Sequence, residues 1–143
     1  MHKVLFVCHG NICRSPMAEF VLKDMVAKAG RLSEFVIASV AVSREEEGNP
    51  LYPPARRELT KHGVPYTNHR ARLITLQDLN SFDHIYYMDS SNARYLSRLF
   101  GADAAKCRPL LSRDVADPYY CGGFDQTYAD IEEGCRRILE ELK

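Results

Sequence analysis

The segment Cys8-His9-Gly10-Asn11-Ile12-Cys13-Arg14-Ser15 has the residue types and spacing of an anion site built around a sulfur. A cysteine closes an apolar run, an arginine follows six positions on, and a serine stands where a helix should open. Shuffling at this composition yields roughly 0.04 such arrangements per chain, before any demand for a strand ahead and a helix behind. Five intervening residues let the loop curl so that its N–H groups converge as a nest, to which the helix N-terminus adds its dipole. His9, Gly10, Asn11, Ile12, Cys13, Arg14 and Ser15 would together hold a phosphate-like dianion. The same field draws the Cys8 thiol toward its ionised, nucleophilic form. Arg14 can grip two phosphoryl oxygens bidentately and tighten as charge redistributes, which a lysine would not reproduce. Ser15 can donate to the sulfur and so improve it as a leaving group. Gly10 and Asn11 suit the turn because both tolerate left-handed backbone.

Two further readings of this segment stay open or fall. Cys13 is either a small buried residue or the partner of Cys8 in a reversible disulfide that guards the nucleophile from over-oxidation. A metal held by Cys8, His9 and Cys13 fits no common zinc spacing, and no second ligand pair follows. Neither a metal nor an organic cofactor is expected.

To present such a loop the chain needs a strand running into it and a helix running out. Residues 3–8 read as that strand. Ser15 reads as the helix cap, Pro16 as its first residue, and Ala18, Val21, Leu22, Met25, Val26 and Ala29 repeat at helical spacing before Gly30. Further strands are expected at 35–42, 83–88 and 107–111, a short helix at 54–62 stopped by Gly63, and another helix at 92–100 ending at Gly101. Phe124, Tyr128, Ile131, Cys135, Ile138 and Leu142 mark a last helix. Alternation of strand and helix predicts a single α/β domain over 1–143: an open four-stranded parallel sheet with helices on both faces, in the flavodoxin-like order 2-1-3-4. The site then lies at the carboxyl ends of the strands, where open α/β sheets bind ligands.

Composition bounds the rest. The 143 residues suffice for one core without staples. Nineteen basic and nineteen acidic residues cancel, so no broad field argues for nucleic acid or an anionic membrane as partner. The apolar run before His9 is too short for a signal peptide or a membrane span, and five irregularly spaced cysteines suit a reducing compartment; a cytoplasmic location is expected. Arg44-Glu45-Glu46-Glu47 reads as a solvated loop near the active edge.

These residues resemble the low-molecular-weight protein tyrosine phosphatase family, over nearly the whole chain. Asp117-Pro118-Tyr119-Tyr120 is similar to that family's Asp-Pro loop. The resemblance implies that Cys8 is the nucleophile, that Arg14 holds the phosphate, and that Asp117 is the acid protonating the leaving phenolate and later the base activating water. It implies that Tyr119 and Tyr120 line the rim against an aryl group. It further implies a hydrogen-bonded brace of Asn11, Ser15, Ser39 and His69 under the loop, with Arg72 and Asp89 in support. Read without the resemblance, His69 is a surface or packing histidine. The partners implied are a phosphotyrosine-containing protein or a small aryl phosphate, with inorganic phosphate released by a monomer or weak dimer.

One departure stands out. Family members usually follow the residue matching Ser39 with Ala-Gly-Thr and an aromatic wall; here Val40-Ala41-Val42-Ser43-Arg44-Glu45-Glu46-Glu47 follows. Three acids beside an anion pocket should repel acidic peptides and favour neutral or basic ones. Two other functions compete. A thiol-dependent arsenate reductase shares the fold but needs a close pair of relay cysteines, which Cys107, Cys121 and Cys135 do not resemble. A phosphocysteine carrier module lacks the loop arginine.

Overall fold

The computed structural model describes residues 1–118 and 123–143. Strand β1 (His2–Cys8) must be central, because residues 4–8 are apolar on both sides of the pleat and all are buried. It pairs in parallel with β2 (Phe35–Ala41) on one side and β3 (His84–Tyr87) on the other, and β4 (Cys107–Pro109) lies beyond β3. The order β2-β1-β3-β4 is the one expected from the sequence.

Alternate side chains of β1 seed two cores. Val4, Phe6 and Cys8 pack with Met17, Leu22, Ile131 and Ile138, under helices α1 (Arg14–Lys28) and α5 (Phe124–Glu141). Helix α2 (Pro53–Lys61) adds Ala55 and Leu59 to that layer. Leu5 and Val7 face the other way, toward Leu79 of α3 (Leu76–Ser81) and Leu96 of α4 (Ser90–Phe100). Helix α5 comes so close to the sheet edge that a Cβ built on Gly134 would lie 2.4 Å from Leu110 Cγ. Because β1 and β3 are neighbours while their connections leave in opposite directions, a crevice opens beyond Cys8.

Several boundaries differ from the sequence expectation, each for a physical reason. Helix α1 starts at Arg14 with Cys13 in the capping position, so Ser15 is already inside the first turn and caps nothing. Ala29 is exposed just past the end of that helix, while Phe20 takes its place in the core. Strand β4 is shorter than expected: Leu110 and Leu111 are buried but have left the ladder, although Leu110 N still donates to Tyr87 O at 2.9 Å. Helix α3 escapes sequence reading because Leu76-Gln77-Asp78-Leu79-Asn80-Ser81 is too short and polar for a period. It is held by a reciprocal cap between Thr75 and Asp78.

Candidate functional site

The loop after β1 folds around the Cys8 sulfur. Asn11 takes a left-handed conformation (φ 61°), as the sequence anticipates, and this turns its N–H onto Cys8 Sγ at 3.2 Å. Ser15 Oγ lies 3.0 Å from the same sulfur. That hydroxyl already accepts a hydrogen bond from Asn11 Nδ2 at 2.8 Å, and its distance to Val40 O is 3.4 Å. Its one proton is therefore best spent on the sulfur. Being in the first turn of α1, not at its cap, is what places Ser15 there.

Asn11 is completely buried and ties three segments together. Nδ2 also donates to Ser39 Oγ at 3.0 Å, Oδ1 accepts from the backbone N of Arg72 at 3.3 Å, and the backbone carbonyl faces His69 Nε2 at 2.7 Å. The expected brace of Asn11, Ser15, Ser39 and His69 is thus one contiguous network. Ser39 passes it on, donating to Glu19 Oε1 at 2.7 Å, a carboxylate that sequence reading did not single out. Arg72 joins by its backbone alone. Its guanidinium turns away to make a two-pronged pair with Asp78 at 2.7 and 3.0 Å.

Arg14 is only 5% exposed, which an arginine tolerates only with charged partners. Nη1 sits 2.9 Å from Asp89 Oδ2 and donates to Val115 O at 3.1 Å, while Nη2 lies 3.8 Å from Asp117 Oδ2. Burial works against the guanidinium charge, but attraction to Cys8, Asp89 and Asp117 and the hydrogen bond to Asp89 outweigh it and raise its pKa above the ordinary value. Asp89 also accepts from Asn92 N at 2.9 Å, so it caps α4 while it orients Arg14.

Cys8, His9, Gly10, Asn11, Ile12, Cys13, Arg14, Asp89 and Asp117 line a pocket of about 730 Å3 that also takes in Glu45 and Glu46. The acidic loop is therefore part of the site wall and not merely solvated. Glu45 pairs with His9 at 3.0 Å, and the Glu46 side chain lies over Gly10, whose added Cβ would meet Glu46 Cγ at 3.2 Å. His9 in turn stands edge-on to Tyr95, ring centres 5.2 Å apart. Cys8 and Cys13 are both buried. Tyr119 and Tyr120 lie outside the described residues.

The arrangement defines a class: a sulfur at the end of a strand, met by a loop N–H and a serine hydroxyl in a pocket shared with a buried arginine and a carboxylate, on an all-parallel open sheet. The profile of the family described as low molecular weight phosphotyrosine protein phosphatase matches residues 3–143. The chain is 35% identical to the low molecular weight protein-tyrosine-phosphatase YfkJ of Bacillus subtilis, an alignment covering 100% of this chain and 97% of the other. The crystal structure of SP-PTP, a low molecular weight protein tyrosine phosphatase from Streptococcus pyogenes, superposes with a TM-score of 0.92 at 37% identity, covering 100% and 94% of the two chains. DARP, described as a Drosophila arginine phosphatase, superposes at 0.86 with 34% identity over 99% and 98%. The chain belongs to the low molecular weight phosphotyrosine protein phosphatase family.

Proposed function

We propose that this protein hydrolyses phosphotyrosine and related aryl phosphates in two displacements at Cys8. In the first, the Cys8 thiolate attacks phosphorus in line, the S–P bond forms as the P–O(aryl) bond breaks, and Asp117 passes its proton to the departing phenolate. In the second, Asp117 takes a proton from water as that water attacks phosphorus, and the S–P bond breaks to release inorganic phosphate. Arg14 holds the equatorial oxygens through both steps, and Ser15 supports the sulfur as it leaves. The observation that carries the reading is that Ser15 Oγ and Asn11 N lie 3.0 and 3.2 Å from Cys8 Sγ in a pocket that also holds Arg14 and Asp117, Arg14 Nη2 being 3.8 Å from Asp117 Oδ2.

The test is hydrolysis of an aryl phosphate in the presence of a chelator. Cys8→Ser should abolish turnover. Asp117→Asn should reduce kcat/KM far more for substrates with poor leaving groups than for those with good ones; equal losses would contradict the acid role. Parallel assays with phosphotyrosine, phosphoserine and phosphoarginine peptides and with arsenate distinguish the leaving groups and the reductase alternative. The latter is disfavoured by the burial of Cys135 in the α1–α5 core, where its sulfur meets Ala18 O; Cys121 lies outside the described residues. Cys13 supplies a partner for Cys8 under oxidation, a pairing that peptide mapping after mild peroxide treatment would reveal. Glu45 and Glu46 in the pocket wall favour peptides with neutral or basic residues beside the phosphotyrosine.

A further inference from the structure

Asp117 sits on an irregular segment between β4 and α5, and a carboxyl on a loop is a poor proton donor unless the loop is fixed. The residue before it is gripped on both sides. Ala116 N donates to Asp130 Oδ2 at 2.9 Å, and Ala116 O accepts from Thr127 Oγ1 at 2.8 Å. Thr127 is completely buried and Asp130 is 3% exposed, on a helix whose other buried positions, such as Tyr128, Ile131 and Ile138, are mostly apolar. The remaining oxygen of Asp130 accepts from Arg113 Nη2 at 2.9 Å and from Gln126 Nε2 at 2.8 Å, so its carboxylate is satisfied and held still. One residue earlier, Val115 N donates to Met88 O at 2.8 Å while Val115 O accepts from Arg14. The backbone leading into Asp117 is thereby locked to α5 by two side chains, and to Met88 and Arg14 by the N–H and C=O of Val115.

Burying a hydroxyl and a carboxylate on the inner face of a helix costs stability that apolar residues would not, so two polar groups spent on the N–H and C=O of one residue point to precision and not to packing. We propose that Thr127 and Asp130 are positioning residues for the reaction: by clamping the two peptide groups that flank the Ala116 Cα they hold the Asp117 carboxyl at the distance from the leaving oxygen that proton transfer requires. Neither touches substrate. The inference rests on the acid role of Asp117 proposed above.

The experiment compares kcat/KM for aryl phosphates of graded leaving-group pKa in wild type, Thr127→Val, Thr127→Ser, Asp130→Asn and Asp117→Asn, with urea unfolding of each. Thr127→Val keeps shape and removes only the hydroxyl. A displaced acid should lower kcat/KM roughly ten- to hundredfold for the poorest leaving groups and less than about twofold for the best. The dependence on leaving-group pKa should steepen toward that of Asp117→Asn, Thr127→Ser should restore it, and Thr127→Val placed on Asp117→Asn should add no further loss on the poor substrates. A purely structural role would lower stability, or activity on all substrates alike, without changing that dependence. Should Asp117→Asn steepen the dependence while Thr127→Val and Asp130→Asn leave it at the wild-type value, the clamp is refuted and the acid role stands. Should Asp117→Asn itself leave the dependence unchanged, the acid role falls and the clamp with it.

Discussion

Replacing Asn11 separates two jobs that one residue performs. Its side chain makes three hydrogen bonds, to Ser15, Ser39 and the Arg72 amide, and its backbone occupies φ 61°. Asn11→Gly keeps the left-handed backbone and deletes the network. At about 1 kcal/mol per hydrogen bond, with buried hydroxyls left short of a donor, the loss of stability should be roughly 2–4 kcal/mol. Asn11→Ala deletes the same bonds and adds the left-handed penalty of a Cβ, about 1–2 kcal/mol, partly offset by the stiffer unfolded chain. It should therefore fall below the glycine variant. Urea unfolding followed by circular dichroism gives both differences. Both variants should also lose kcat/KM and affinity for inorganic phosphate, because the N–H that meets Cys8 is aimed by this residue. A glycine variant with wild-type stability and kcat/KM would refute the network as a brace, and an alanine variant more stable than the glycine one would refute the backbone argument.

Three other outcomes follow from named contacts. Gly134→Ala should destabilise the fold by about 1–3 kcal/mol in urea unfolding, since its Cβ would sit 2.4 Å from Leu110 Cγ; an unchanged midpoint would show that the Leu110 side chain gives way freely. Burial tends to raise the Asp78 carboxyl, but the hydrogen bonds from Arg72 and Thr75 bring it below the ordinary value. Its stabilising contribution is therefore complete above about pH 4 and fades as pH falls through the lowered value, so the stability gap between wild type and Asp78→Asn should close in acid and would not if the pair were idle. Desolvation pushes the Cys135 thiol far up, so iodoacetamide should leave it unmodified in the native protein while Cys8 reacts; rapid native labelling of Cys135 would contradict its place in the core.

The fold was legible because its carriers are periodic. Residues 4–8 can only be a buried strand, and the Tyr128, Ile131, Cys135, Ile138 stripe can only face a core. The loop that joins Cys8 to Arg14 was legible because its spacing and its flanking strand and helix are contiguous. What escaped has no local signature. Glu19, Thr127 and Asp130 read as ordinary polar helix positions, and only the packing of α1 against β2 and of α5 against the 113–117 segment gives each a buried partner. Arg72 supports the brace through its backbone N–H while its guanidinium pairs with Asp78, a division that a sequence does not specify.

Ser15 is the most instructive miss, since the rule that misled is sound. A serine before a helical stripe normally caps it, as the Thr75 and Asp78 box caps α3 and the Asp89 and Asn92 box caps α4, whereas α2, like α1, opens without a side-chain cap. Helix α1 has no side-chain cap and no acid in its first turn. A capping oxygen there would occupy the N–H groups and cancel the dipole that a dianion needs, so an anion-binding helix has to begin uncapped. With capping out of use, the hydroxyl stands two residues past the capping position, inside the first turn, where it meets the sulfur. In α1 the departure from the capping rule goes with a serine hydroxyl on the Cys8 sulfur, and on the function proposed above this open helix start is the end that would meet the phosphate.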